Sequence, residues 1–301
     1  MDSIILSIDT KLIKNKKSIS EFVYELPNKV TNAISITLSS IEIPNSIYVF
    51  NSKRNNEMFY FTFKKITYRF YLKQGNYDLK ELYDEIAIFF NNIETKLIAD
   101  DYTQIYFSFD INTARFKIGC NQKSSIIFAN YDDYYSLGRL LGFAQPTYDD
   151  VTEIIGEYIP DIIGDKYIFM KMNNFGNILH NNTKYFSKII INKESYEMIY
   201  NSQHKYITKK FQFNQPTNIS KLYFRFEDYM GSLVSFNGLD LSFTLEIKFI
   251  KNIGLKPFYE KFNYDEDLMR MILMDSMMKY YQPDDNKLSM YNQLKDIYNN
   301  N

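Results

Sequence analysis

The chain has 301 residues, a formal net charge of −1, and 24% charged and 45% hydrophobic side chains. That is the profile of a folded globular protein long enough for one large or two medium domains. The near-neutral charge excludes a global attraction to nucleic acid or to an anionic membrane, and the single cysteine, Cys120, excludes an internal disulfide framework and a cysteine-based metal site.

Residues 1–30 mix short apolar runs with Lys14, Lys16 and Lys17 and read as an extended arm or edge strand. The start lacks a cationic segment ahead of an apolar run, so no signal peptide is expected, and the sequons at Asn181 and Asn218 read as chance matches. Ile34 to Ser39 alternates apolar and polar, the period of a half-buried strand. Ile41 to Ile43 continues it and Pro44-Asn45 stops it. Asn51 to Asn56 is a polar loop; Met58 to Phe63 and Ile66 to Leu72 are strands around Lys64-Lys65.

A helix is predicted over 77–97. Asp78 with Glu81 has the form of a capping box, and Leu79, Leu82, Ile86, Phe89 and Phe90 make one apolar stripe to lie on a sheet. Ile105 to Phe109 and Arg115 to Ile118 are hairpin partners. Ser136 to Phe143 is a short helix closed by Gly142 in the left-handed cap position. Residues 146–164, with Pro146, Gly156, Pro160 and Gly164, read as a linker. Strands return at Tyr167 to Met172, Phe186 to Ile191, Lys209 to Phe213, Lys221 to Phe226, Leu233 to Phe236 and Leu241 to Phe249, with turns at Gly231 and Asn237-Gly238.

The expected fold is therefore mainly β with α additions: a β-sandwich, one form of which is a jelly roll, in two β-rich halves. The expected domains are an arm (1–30), a β-rich domain with its packed helix (31–145), a linker (146–164), a β-sandwich domain (165–255) and a helical C-terminal tail (256–301). In the tail, Asp265 to Tyr281 is apolar around much of its circumference, and Pro283 separates it from a narrower amphipathic stretch through Leu288, Tyr291, Leu294 and Ile297. Such a helix is either buried on several sides or docks on a partner; its flexible methionines favour a partner. Leu268, Met271, Ile272, Met274 and Met278 are the candidate interaction residues.

No chemistry is legible. His180 and His204 stand 24 residues apart without a metal-ligand spacing. Cys120 has no nucleophile signature and reads as a buried thiol. Ten glycines form no phosphate-cradling loop, and the pairs Asp132-Asp133, Asp149-Asp150 and Asp284-Asp285 lack the order of a calcium loop and read as solvated turns. No stretch approaches the length of a membrane span. No catalytic, cofactor or metal residues are therefore named, and the chain is expected not to be an enzyme. The 27 Tyr and 25 Phe, with no Trp, reflect A/T-rich codons in part; in part they suit strands and interfaces.

Three segments carry a resemblance. Ser39 to Phe50, followed by Asn55, Asn56 and Phe59, resembles a strand-and-turn pattern in structural proteins of nucleocytoplasmic large (giant) DNA viruses. Gly75-Asn76-Tyr77 with its helix, then Leu140-Leu141-Gly142-Phe143, resembles the layout of minor capsid or penton-like proteins there and in polinton-like elements. Ser235 to Ile247 looks like the strand–turn–strand that ends their β-domains. The resemblance implies a virion structural protein, assembled in the host cytoplasm, that binds the major capsid protein, other minor capsid proteins or further copies of itself. It implies no cofactor and no catalytic residue. Two other readings stay open: a host-attachment or glycan-binding module using Tyr131, Tyr134 and Tyr135 beside Asp132 and Asp133, and a hydrolase with scattered carboxylates.

Overall fold

The computed structural model describes residues 2–97, 104–128, 136–202 and 209–251. The tail interaction residues, Leu268, Met271, Ile272, Met274 and Met278, lie outside them, as do His204, Tyr131, Tyr134 and Tyr135. The described unit, up to Ile250, is built from antiparallel strands around two hydrophobic cores.

The first core is enclosed by strands from both ends of the chain. These are β1 (Asp2–Asp9) and β2 (Glu21–Pro44) from the N-terminal end, and β8 (Tyr167–Met172), β11 (Ser187–Ile190), β12 (Met198–Ser202), β13 (Lys210–Glu227) and β14 (Ser242–Phe249) from the C-terminal end. They form one seven-stranded sheet in the order β1-β14-β2-β13-β8-β11, with β12 also paired to β2. Among the described residues no α-helical residue contributes to this core. Register shifts in β13 between Gln212 and Lys221, and in β14 between Thr244 and Leu245, supply the bulges at which long strands bend. A small hairpin, β9 (Ile178–His180) with β10 (Thr183–Tyr185), sits beside it.

Between β2 and β8 the chain builds the second core. A five-stranded sheet, β3 (Met58–Phe63), β4 (Ile66–Tyr71), β5 (Ile105–Asp110), β6 (Arg115–Phe128) and β7 (Thr147–Ile155), carries helix α1 (Leu79–Leu97) on one face. Leu82, Ile86, Phe90 and Ile93 of α1 are buried, and Phe90 meets Phe61 edge-on at 5.1 Å between ring centroids. The capping box forms in full: Asp78 Oδ1 accepts from the Glu81 N–H at 2.7 Å, and Glu81 Oε2 accepts from the Asp78 N–H at 3.0 Å. Lys64 and Lys65 both adopt positive φ, as a two-residue type I′ hairpin turn requires. Helix α2 (Leu137–Leu140) ends on Gly142 at φ +90°.

The mainly β expectation holds, but the domain boundaries need correction. Residues 1–30 are not an arm: Leu6, Ile8, Phe22 and Leu26 are core residues of the first sheet. A boundary at 31 would cut β2. Segment 146–164 is not a linker, because β7 pairs with β6 along its length. Its exposed Asp149, Asp150 and Glu153 are the charges of an edge strand, which is why it reads as a loop. Asp149-Asp150 is accordingly not a turn pair. The strands expected at 209–213 and 221–226 are one bulged strand, β13, and Leu233 to Phe236 makes only a single bridge, Glu227 to Leu233. The two cores are nested in sequence, not consecutive.

Tyr185, buried outside the two core clusters, gives the seven-stranded sheet a pH dependence. Its ring stacks on Phe169 at 4.4 Å, its hydroxyl donates to Glu227 Oε2 at 3.0 Å, and burial pushes its pKa up to about 12. The folded value lies above the unfolded one, so this stabilisation is complete below pH 10 and is lost as pH rises towards 12. Tyr185→Phe should be less stable than wild type by about 1 kcal/mol at pH 8. Urea midpoints should show that gap closing between pH 10 and 12.

Candidate interaction surface at the crossing between the two cores

The chain crosses between the cores twice, outward over residues 45–57 and back over 156–166. The outward crossing lacks a continuous ladder, and its backbone groups must find other partners. Asparagine side chains supply them, since one carboxamide offers both a donor and an acceptor. Asn76 Oδ1 accepts from the Val49 N–H at 2.8 Å, and its Nδ2 donates to the Ile47 carbonyl at 3.1 Å. Asn56 Oδ1 accepts from the Asn51 N–H, and its Nδ2 donates to the Val49 carbonyl, both at 2.8 Å. Asn45 Nδ2 donates to the carbonyls of Lys193 and Glu194. Ser46 Oγ donates to the Phe236 carbonyl at 2.6 Å, and Asn237 Nδ2 donates to the Ser46 carbonyl.

An ion triad joins the cores beside this clamp. Arg54 Nη2 lies 2.6 Å from Asp165 Oδ2 and 3.5 Å from Asp228 Oδ2, with side-chain exposures of 12%, 1% and 6% respectively. Asp228 Oδ1 also accepts from the N–H groups of Met230 and Ser232, each at 2.9 Å. Burial holds the Asp228 carboxyl above its usual range, against the opposing pull of those amides and of Arg54. A cleft opens on each side. One, of about 700 Å³, is bounded by Arg54, Arg225, Asp228 and Asn237. The other, of about 570 Å³, is bounded by Tyr48, Asn76, Ile163, Asp165 and Tyr196.

The return crossing is held by its backbone and turns Tyr158, Ile159 and Ile163 to solvent. Gly156 N–H donates to the Phe116 carbonyl, Tyr158 N–H to Gly142 and Asp161 N–H to Leu140, at 2.8 to 3.0 Å. Leu140, Leu141 and Phe143 beneath are buried in the second core. Ile155, Tyr158, Ile159 and Ile163 nevertheless stand 46%, 63%, 66% and 76% exposed. Four large apolar side chains within nine residues, one at the end of β7 and three in the fixed loop that follows, are the raw material of a protein-binding patch.

No protein-family model matches the sequence, and no curated protein matches it. Among solved structures, the crystal structure of the mavirus penton protein is similar, with TM-score 0.45 and 11% identity over 83% of this chain and 100% of that one.

Cys120 and His180 are engaged structurally. Cys120 is buried and burial pushes its thiol pKa up, which disfavours the nucleophilic thiolate. His180 Nε2 lies 2.9 Å from the Tyr229 carbonyl, and its ring packs on Phe169 at 4.8 Å. Among the described residues no group of three or more His, Cys, Asp or Glu is arranged to hold a metal ion, and no helix is long and apolar enough to cross a membrane.

The segments that carry the family resemblance converge on this crossing: Asn45 to Phe50 and Asn56, Asn76, Leu140 to Phe143, and Phe236 with Asn237 all take part in it. The sequence reading missed Arg54, Asp165 and Asp228, which come from three distant loops. It also missed the apolar loop itself, although Ile155, Tyr158, Ile159 and Ile163 are visible among the glycines and Pro160 of that stretch.

Proposed function

We propose that this protein is a non-catalytic structural component of a virus particle, minor-capsid or penton-like, that works by binding neighbouring capsid proteins. The observation that carries the reading is the return crossing: a loop anchored by three backbone hydrogen bonds that holds Tyr158, Ile159 and Ile163 outward. Anchoring lowers the entropy lost on binding, and apolar and aromatic side chains at such sites supply most of the affinity. The sequence resemblance supplies the virion context. On this reading the major capsid protein is the first partner, and Leu268, Met271, Ile272, Met274 and Met278 of the tail form a second contact.

The test is binding of the full chain to the major capsid protein of the same virus, by interferometry. Ile159→Lys with Ile163→Lys should weaken binding tenfold or more, the equivalent of about 1.4 kcal/mol, with the thermal midpoint unchanged. Met271→Glu with Met274→Glu should weaken it independently. Undiminished binding by both variants would remove these surfaces from the reading. Selective capture of a sugar on a glycan array, or turnover in a hydrolase screen, would replace it with one of the other two.

A further inference from the structure

Strand β1 is an outermost strand of the seven-stranded sheet, and among the described residues it pairs only with β14. The ladder is unbroken over eight residues, from Asp2 opposite Phe249 to Asp9 opposite Ser242. Two bonds fix which backbone groups it leaves over. Thr10 N–H donates to the Leu241 carbonyl, and Ile250 N–H donates to the Asn32 carbonyl. Odd-numbered residues of β14 therefore bond towards β1 and even-numbered ones towards β2. Because partners in an antiparallel ladder alternate between hydrogen-bonded and non-hydrogen-bonded pairs, the N–H and C=O groups of Ser3, Ile5 and Ser7 point away from the sheet.

Between its terminal acids, Asp2 and Asp9, strand β1 carries no charged residue. Proteins blunt open edges with lysines, prolines, bulges or short strands; β1 has no lysine, no proline and no register shift. Its outward row places Ile5, 70% exposed, between Ser3 and Ser7, while Leu6 and Ile8 face the core.

We infer that the β1 edge is an interface between two copies of this chain, paired antiparallel across a two-fold axis centred on Ile5. The sequence of the strand selects that occupant, because it is complementary to itself. With Ile5 opposite Ile5, Ser3 faces Ser7 and Ser7 faces Ser3, and these are the residues whose backbone groups are turned outward. Ile4 then faces Leu6, so the apolar row of one sheet runs on into the other. Asp2 faces Ile8, and no acid opposes an acid. A two-fold contact of this kind is closed and ends at the dimer. A strand pair alone is a small interface, so the dimer is weak and concentration-dependent. This inference is independent of the capsid reading, which concerns other surfaces.

The test is sedimentation of the full chain across a concentration series, with Ile5→Lys and Ser7→Pro as edge-blocking variants and Ile5→Cys as a reporter. Wild type should shift from monomer to dimer with concentration. Both blocking variants should stay monomeric at the highest concentration with the wild-type circular dichroism spectrum; Ile5→Lys covers the case in which Ser7→Pro disturbs the strand. Under mild oxidation Ile5→Cys should give a covalent dimer, since the buried Cys120 does not compete; Ile66→Cys, at an exposed residue of β4 on the other sheet, should not. Three results would overturn the inference: a wild-type monomer throughout, dimers that survive Ile5→Lys, or cross-linking of Ile66→Cys as efficient as that of Ile5→Cys.

Discussion

Replacing Arg54 by Met should lower the stability of the protein by about 3 to 5 kcal/mol, the usual cost of removing one partner from a buried ion pair. The guanidinium opposes both Asp165 and Asp228, and both carboxylates are nearly inaccessible to water. Methionine fills much of the space, so the loss reports charge and not volume. The deficit should shrink as pH falls. Burial already holds Asp228 above the usual carboxylate range, and losing the guanidinium pushes it further. A carboxyl whose folded pKa is raised stabilises the fold when protonated, and that contribution is lost as pH rises through the folded value. Chemical denaturation at pH 5 and pH 8 should therefore give a smaller difference from wild type at pH 5. Adding Asp165→Asn and Asp228→Asn should recover much of the loss at neutral pH, because the uncompensated charges go with the mutations. A deficit independent of pH, or no recovery in the triple variant, would mean that the triad matters only through packing.

Gly142→Ala should cost on the order of 3 kcal/mol, and the damage should concentrate on one loop. Two effects add. The backbone at φ +90° is a conformation that a side chain disfavours by about 1 to 2 kcal/mol. A β-carbon would also stand 2.2 Å from the Tyr158 carbonyl oxygen, a backbone atom that can move only with its segment. The return crossing must lift, breaking the Tyr158 and Asp161 hydrogen bonds to Gly142 and Leu140. Hydrogen exchange should show these two amides losing protection ahead of those of β3 and β6. Gly238→Ala is the control: φ is +84° there too, but nothing lies within 4 Å of the added carbon, so only the conformational cost remains. On the function proposed above, Gly142→Ala should also weaken capsid-protein binding while leaving Tyr158, Ile159 and Ile163 chemically intact.

The local elements were largely readable from sequence. The paired strands around Lys64-Lys65, the capped helix α1 and the Gly142 stop each depend on residues within one or two turns of one another, and those signals are strong. Pairing over long distances was not readable. Leu6 and Ile8 read as an arm because their partners, Leu245 and Phe243, lie more than 230 positions away. Strand β13 read as two strands because its middle, Asn214 to Ser220, is polar and bulged, which destroys the alternation that marks a strand. The crossing was half legible. Several of its asparagines lay in the segments that carry the resemblance, but nothing in the sequence said that their carboxamides stand in for missing backbone partners. Arg54, Asp165 and Asp228 carried no signal, since an ion triad drawn from three loops has no spacing to read.

The nesting of the two cores sets an order for synthesis. Every residue of the second core lies between Val49 and Tyr148 or Ile154, so that core can close while the rest of the chain is still being made. The first core cannot: β1 waits for β14, and β2 for both β13 and β14. Until β14 leaves the ribosome, β1 has no native strand partner and β2 lacks one of its own. The early-folding inner unit then brings the two flanks together, shortening the loop that the late strands must close. Destabilising the second core should therefore slow folding of the first, although the two share little packing.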